Sequence, residues 1–283
     1  MAISSTPIDP SFASDAEITL WWLGQAGFAL RSRDRLLMID PYLSDVLADK
    51  YAGEHFPHRR LHDAPVQPAQ VTGLDLVLCT HGHTDHMDLG TLPLLQLASD
   101  PLFVVPRAES TRAIGRGVPL ARLLGMTAGE TFGTGAGISI TAVPAAHEER
   151  AHDAHGQEVF IGYVIDVDGY RIYHSGDCAP YDGIEEILRE LDIDLALLPV
   201  NGRDPDRNGN GVPGNFRLDE AVALCRSAGI PRLIVHHWGL FAFNSADPDD
   251  LARDLAAVDD IKWTIPRLGE PIEIERMDAE VSA

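Results

Sequence analysis

The sequence predicts a mixed α/β fold in which two β-sheets lie between outer helices. Three observations carry this reading: apolar or alternating runs gather in two groups, segments at helical spacing follow them, and polar clusters sit where several runs end. In chain order, 18–23, 28–31 and 36–39 read as an opening antiparallel meander, and 74–79 as a buried strand. Segments 92–98 and 111–115 place apolar residues near helical spacing. The sheet theme returns with 138–143, 159–167, 170–174 and 195–198, the last preceded by a helix at 184–191. Helices at 218–228 and 248–257 flank a final strand at 232–235. Neither an internal repeat nor a linker breaks the chain, so residues 18–283 are expected to form one domain behind a flexible segment, 1–17.

Chemistry concentrates at 80–86, T-H-G-H-T-D-H, where three imidazoles and a carboxylate follow the buried strand. Aimed into one small volume without partners, these groups would be costly to desolvate, and a metal ion removes that cost. A solvated histidine-rich turn is the competing reading, but a cluster seated directly on a strand end fits a ligand set better. A two-metal hydrolytic centre needs about seven protein and water contacts. Three more strand ends offer His147, Asp177 and His237. Ligands delivered from several strands let a rigid scaffold place the ions while the loops shape a pocket. His236 adjoins His237, but neighbours on a strand face opposite ways, so only one can reach the ions; Trp238 and Phe241 favour His237. Asp40, at the end of 36–39, is expected to orient a ligand histidine, and Asp85 to orient the attacking hydroxide or carry a proton.

These motifs resemble the metallo-β-lactamase superfamily of metal-dependent hydrolases: T-H-G-H-T-D-H at 80–86, His147, S-G-D at 175–177 and V-H-H-W-G-L-F at 235–241. Within it the chain looks most like the L-ascorbate-6-phosphate lactonase-like group, through L-W-W-L-G-Q-A-G-F at 20–28, I-D-P-Y-L-S-D at 39–45, Y-H-S-G-D at 173–177 and L-P-V-N-G-R-D at 198–204. The resemblance spans 18–274 and implies an αββα sandwich of two mixed sheets, the metallo-β-lactamase fold. It also implies one ion held by His81, His83 and His147, a second by Asp85, His86 and His237, and Asp177 bridging them. His147 is a feature shared with the general hydrolases of the superfamily rather than with its founding lactonases. The donor set is nitrogen and oxygen only, which suits zinc, manganese or iron; the resemblance to lactonases raises manganese.

Composition sets the remaining bounds. A chain of 283 residues, 45% hydrophobic and 23% charged, can bury a large core, and no apolar run approaches membrane-spanning length. The opening residues lack the charged and apolar regions of a signal peptide. The three cysteines, Cys79, Cys178 and Cys225, form no C-x-x-C pair, which points to a reducing, cytoplasmic setting; Cys178 beside Asp177 reads as a small packed residue. A net charge of −21 disfavours nucleic acid as a partner, yet two divalent ions would leave a locally positive centre for a small anionic or polar substrate. Homo-oligomerisation is left open.

Two loops are expected to shape the pocket. Segment 44–71 carries His55, His58, Arg59, Arg60 and His62 and reads equally as a lid or a solvated crossover. The turn-rich 201–215 leaves a strand end and offers Asn201, Arg203 and Asn215 as substrate donors, with Arg203's planar fork suited to a carboxylate or phosphate; a salt bridge to Asp204 or Asp206 is the alternative. Asp204, Asp206, Asn208 and Gly209 mimic the start of a calcium loop, but position twelve is Asn215 rather than glutamate. The expected activity is hydrolysis by a metal-bridging hydroxide, most simply the opening of a small polar sugar lactone, phosphorylated or not, or a related ester. The same site would serve phosphodiester hydrolysis of a cyclic nucleotide or lipid head group. The non-enzymatic alternative is a metal-stabilised sensor that binds a metabolite without turning it over.

Overall fold

Alternation along the strands decides where each layer's apolar surface goes. A computed structural model of the chain describes residues 12, 14–135 and 137–275. Six strands open it: β1 (Ile18–Gly24), β2 (Gly27–Ser32), β3 (Arg35–Ile39), β4 (Leu76–Leu78), β5 (Leu102–Pro106) and β6 (Leu123–Met126). A second set follows: β7 (Thr131–Gly133), β8 (Ile138–Pro144), β9 (Ile161–Val167), β10 (Tyr170–His174), β11 (Leu195–Pro199), β12 (Arg232–His236) and β13 (Lys262–Thr264), after which β14 (Pro271–Glu273) returns to pair with β1. Two seven-stranded sheets result among the described residues, ordered β14-β1-β2-β3-β4-β5-β6 and β13-β12-β11-β10-β9-β8-β7. Both are mixed and built alike. Each has an antiparallel run, β14 to β3 and β7 to β10, that continues into parallel strands, β4 to β6 and β11 to β13.

On β1, Ile18, Leu20 and Trp22 enter the core between the sheets, whereas Trp21 and Leu23 face a second apolar layer outside. On β3 and β4, Leu37, Ile39, Leu76 and Leu78 point inward and Leu36, Met38 and Val77 outward. That outer layer is closed by α2 (Leu92–Ser99) and α3 (Ser110–Gly115) through Leu92, Leu95 and Ala113. The second sheet is covered by α4 (Ile184–Glu190), α6 (Leu218–Ala228) and α7 (Pro248–Leu255), through Leu188, Leu224 and Leu251. The order is therefore helix, sheet, sheet, helix, the αββα sandwich anticipated above. No helix among the described residues is long and apolar enough to cross a membrane.

Several elements differ from the sequence expectation. The expected strand 74–79 contracts to β4 because Asp75 turns its carboxylate onto the Leu36 amide (2.9 Å) and Arg35 (2.7 Å). Strand 159–167 begins at Ile161, since Val159 N is bonded to Ala151 O (2.9 Å) in a local excursion. β5, β6, β7, β13 and β14 are five or fewer residues long and were not anticipated. The calcium-like stretch is instead a short helix, α5 (Pro205–Gly209), whose N-cap Asp204 accepts the amides of Asp206 and Arg207. Of the segment expected to be flexible, residues 1–11 and Ala13 lie outside the described residues. Phe12 is fully buried on Trp21 (ring centroids 5.2 Å), and its carbonyl accepts Arg31 Nε at 2.7 Å.

Candidate metal centre

Strand ends of both sheets converge on one edge of the sandwich. From the first sheet, β4 leads through Thr80 into a turn closed by Met87 N to His83 O (2.9 Å), which gathers His81, His83, Asp85 and His86. From the second, β8, β10 and β12 lead to His147, Asp177 and His237. Three sets of donor atoms lie close enough to share an ion, each within 4.8 Å: His81, His83 and His147; His81, His86 and Asp177; Asp85, His86 and His237. Asp177 stands between them, with Oδ1 3.3 Å from His86 Nε2 and 3.1 Å from His237 Nε2, and Oδ2 3.6 Å from His147 Nε2. The structure thus brings together all seven residues named as ligands from the sequence.

The chemistry of this set suits divalent ions. Burial draws the His81, His83 and His147 imidazolium groups down, His147 to about 4, so these rings are neutral near pH 7, the form that coordinates. Burial opposes ionisation of Asp177, but the facing imidazoles of His237 and His86 outweigh it and hold that carboxyl well below its usual range. Asp85 is likewise lowered against burial, chiefly by His86. His81 Nε2 is buried and makes no hydrogen bond among the described residues. An orphaned nitrogen beside carboxylates is what an ion would satisfy.

A buried frame aims the ligands. Asp40, fully buried, accepts Thr80 N (2.7 Å), Thr80 Oγ1 (2.7 Å) and His86 Nδ1 (2.8 Å), which leaves His86 Nε2 facing Asp177. The histidine-orienting role read for Asp40 is therefore visible as geometry. Beyond β12, His237 adopts a left-handed φ of 61° and turns toward Asp177, while His236 points into the core and stacks on His174 (4.9 Å, 12°). His174 is no ligand: its Nε2 donates to Ala26 O (2.8 Å) and its Nδ1 accepts Gly176 N (3.0 Å). Gln25 was missed from the sequence. Its side-chain Nε2 donates to Asp85 Oδ2 (2.9 Å) and lies 3.1 Å from His237 Nε2, and its carbonyl accepts His237 N (2.9 Å). The available signal was its place in the tight Gly24-Gln25-Ala26-Gly27 turn, where Gln25 itself sits at φ 53°.

Gly176 shows how tightly the frame fits. It sits at φ +62°, and an added Cβ would lie 2.6 Å from Thr80 Cβ, which is itself locked onto Asp40. Gly176→Ala is expected to destabilise the fold by about 2–4 kcal/mol, read from urea unfolding, and to lower metal content; a melting curve unchanged from the wild type would contradict this packing.

Above the donors opens a cleft of about 180 Å³, lined by His83, Asp85, His147 and Asp177 and walled by Leu47, Lys50, Tyr51 and His58, by Arg112 and Arg116, by Gly211 to Pro213, and by Phe241 and Asn244. Segment 44–71 contributes α1 (Val46–Lys50) and is tied down by Leu61 N to Leu240 O (2.9 Å), so it forms one wall. The expected substrate donors are placed elsewhere. Arg203 gives both terminal nitrogens to Glu220 (2.7 Å each), the partner being neither Asp204 nor Asp206, and lines a neighbouring, more open pocket with His147, Glu148 and Asn208. Asn215, fully buried, donates to Asn201 Oδ1 (3.0 Å), and Asn201 Nδ2 donates to Asn244 Oδ1 (2.7 Å). All three are held by hydrogen bonds to Glu220, to Asn244 and to one another, and none of them lines this cleft.

His58 and His62 supply a pH test away from the ligands. Burial lowers both, although backbone carbonyls of Phe56 and Asp63 partly offset it. As pH falls through the unfolded value of about 6.5, the unfolded chain takes up protons that these folded rings refuse, so stability is present above that pH and lost below it. Calorimetry between pH 7 and 5 should show a falling Tm, with a shallower fall in the His58→Gln, His62→Gln double variant; equal slopes would refute the assignment.

With this geometry established, comparison with known proteins is direct. The profile of the beta-lactamase superfamily domain matches residues 35–238. A metal-dependent hydrolase of Myxococcus xanthus is 29% identical over 261 residues, 87% of this chain and 79% of that protein. One from Archaeoglobus fulgidus is 28% identical over 260 residues, 90% of this chain and 98% of the relative. Among solved structures, Igni18, a metallo hydrolase of Ignicoccus hospitalis, superposes with a TM-score of 0.67 at 19% identity, covering 92% of this chain and 99% of that one, a likeness of fold. The chain belongs to the metallo-β-lactamase superfamily, as the match over more than half its length shows.

Proposed function

We propose that this hydrolase carries two divalent ions and opens a small, anionic or polar lactone, phosphorylated or not, or a related ester. The observation that carries the reading is the cleft: small, polar and bordered by cations in a protein of net charge −21. Arg112 is paired with Glu109, but Lys50 and Arg116 make no ion pair among the described residues; Arg116 donates to Met87 O (2.6 Å) and Lys50 lies over the Tyr51 ring (4.8 Å). Charges left uncompensated at a cleft mouth favour an anionic group on the substrate.

His81, His83 and His147 would hold one ion, Asp85, His86 and His237 the other, with Asp177 between. Two such ions supply an acidic water and a Lewis acid for the substrate oxygen. Asp85, fixed by Gln25 Nε2, orients the attacking water and passes its proton toward the leaving oxygen. His86 is kept in one tautomer by Asp40. The exposed large apolar side chains, such as Leu97 and Leu120, are absent from the cleft lining, which weighs against a lipid head group.

The test is metal content and turnover on one preparation, loaded with zinc or manganese, against sugar lactones, lactone phosphates and phosphodiesters. Lactone-selective turnover with two ions per chain supports the reading. Phosphodiester-selective turnover would keep the site and replace the substrate class, and turnover in a metal-free preparation would sink both. His83→Ala, which removes the exposed imidazole of the set, should lose metal and turnover together.

A further inference from the structure

Asn244 lies in the cleft wall, 7% exposed, with its backbone N–H bonded to Phe241 O (3.1 Å). Its side-chain oxygen accepts two donors, Asn201 Nδ2 at 2.7 Å and Arg207 Nη1 at 2.6 Å. Those two bonds fix the amide: turned over, its NH2 would face another NH2 and a guanidinium. The amide nitrogen therefore points the other way, toward the cleft that Asn244 lines, and makes no hydrogen bond to a described residue. Arg207 is itself buried and anchored by Nη2 to Asn201 O (3.0 Å) and by Nε to Asp204. Its positive charge on the carbonyl oxygen polarises the amide and strengthens the opposite N–H as a donor. A donor held this firmly in the cleft wall is preorganised for an oxygen that enters the cleft in place of water.

We propose that Asn244 is the substrate-binding donor of this cleft, giving its amide N–H to an oxygen of a phosphate or carboxylate group whose charge Lys50 and Arg116 attract. Asn201 and Arg207 are its positioning residues, so loop 201–215 acts on the substrate through Asn244 as well as through the Gly211 to Pro213 wall. This rests on the hydrolase reading and names the group through which the cleft reads an anion.

The test is calorimetric titration of the metal-loaded protein with inorganic phosphate, which needs no turnover. Asn244→Asp keeps the oxygen that Asn201 and Arg207 bind and removes the donor; Asn244→Ser is the second variant. Phosphate affinity should fall at least tenfold in both, with metal content and Tm held, and KM for any hydrolysed substrate should rise more than kcat falls. Unchanged phosphate affinity in either folded variant overturns the proposal, as does a Tm loss without an affinity change. Phosphate binding that depends on Asn244 in a protein without hydrolytic activity would uphold it while refuting the hydrolase reading.

Discussion

Asp177→Ala is expected to leave the folded protein with less than one ion per chain and to lower turnover by about 10³-fold, roughly 4 kcal/mol at the barrier. The size follows from position. Among the described residues Asp177 is the carboxylate that meets His147 as well as His86 and His237, the last two through Oδ1 and His147 through Oδ2. Without it, two sets of imidazoles face each other with no anion between them, and like charges gathered by two ions repel unopposed. Elemental analysis with steady-state kinetics checks the result. Two ions retained in Asp177→Ala would mean that the carboxylate does not bridge.

Asp40→Asn should be the second severe change, although Asp40 lies outside the ligand set. The Asp40 carboxylate accepts from three donors, and an amide in its place turns one acceptor into a donor directed at His86 Nδ1 and Thr80 Oγ1. Escape requires His86 to move its proton to Nε2, the nitrogen that faces Asp177 and would coordinate. Metal affinity is expected to fall about 10–100-fold, and stability by about 1–3 kcal/mol from the mismatched buried bonds. Competition titration with a chelator and urea unfolding measure the two separately. A variant that loses stability but binds metal as before would make Asp40 a brace of the Thr80 turn alone.

The convergence of the candidate ligands was legible because coordination chemistry leaves a local mark. Histidine and aspartate at the ends of apolar strands are expensive and conspicuous, so 80–86, His147, Asp177 and His237 could be read one strand at a time. The same holds for the long strands and for helix 218–228, whose patterns repeat within a few residues. The short parallel strand Leu102–Pro106 is a run that periodicity alone cannot assign. The partners of Arg203 and Asn201, and the place of Asn244, were not legible for another reason. Their roles depend on partners at Glu220 and across the loop 241–244, and nothing near Arg203 in the chain states that its fork is already filled. Gln25 was hidden likewise: its contacts, Asp85 and His237, lie 60 and 212 residues away.

The division of the ligands between the two sheets has a consequence for how the protein assembles. His81, His83, Asp85 and His86 hang from the first sheet, while His147, Asp177 and His237 hang from the second, so each of the three donor groups draws on both. An ion bound here is a rivet through two plates. An ion held by these groups would tie metal loading to closure of the two sheets on each other, so that metal affinity would report completed folding.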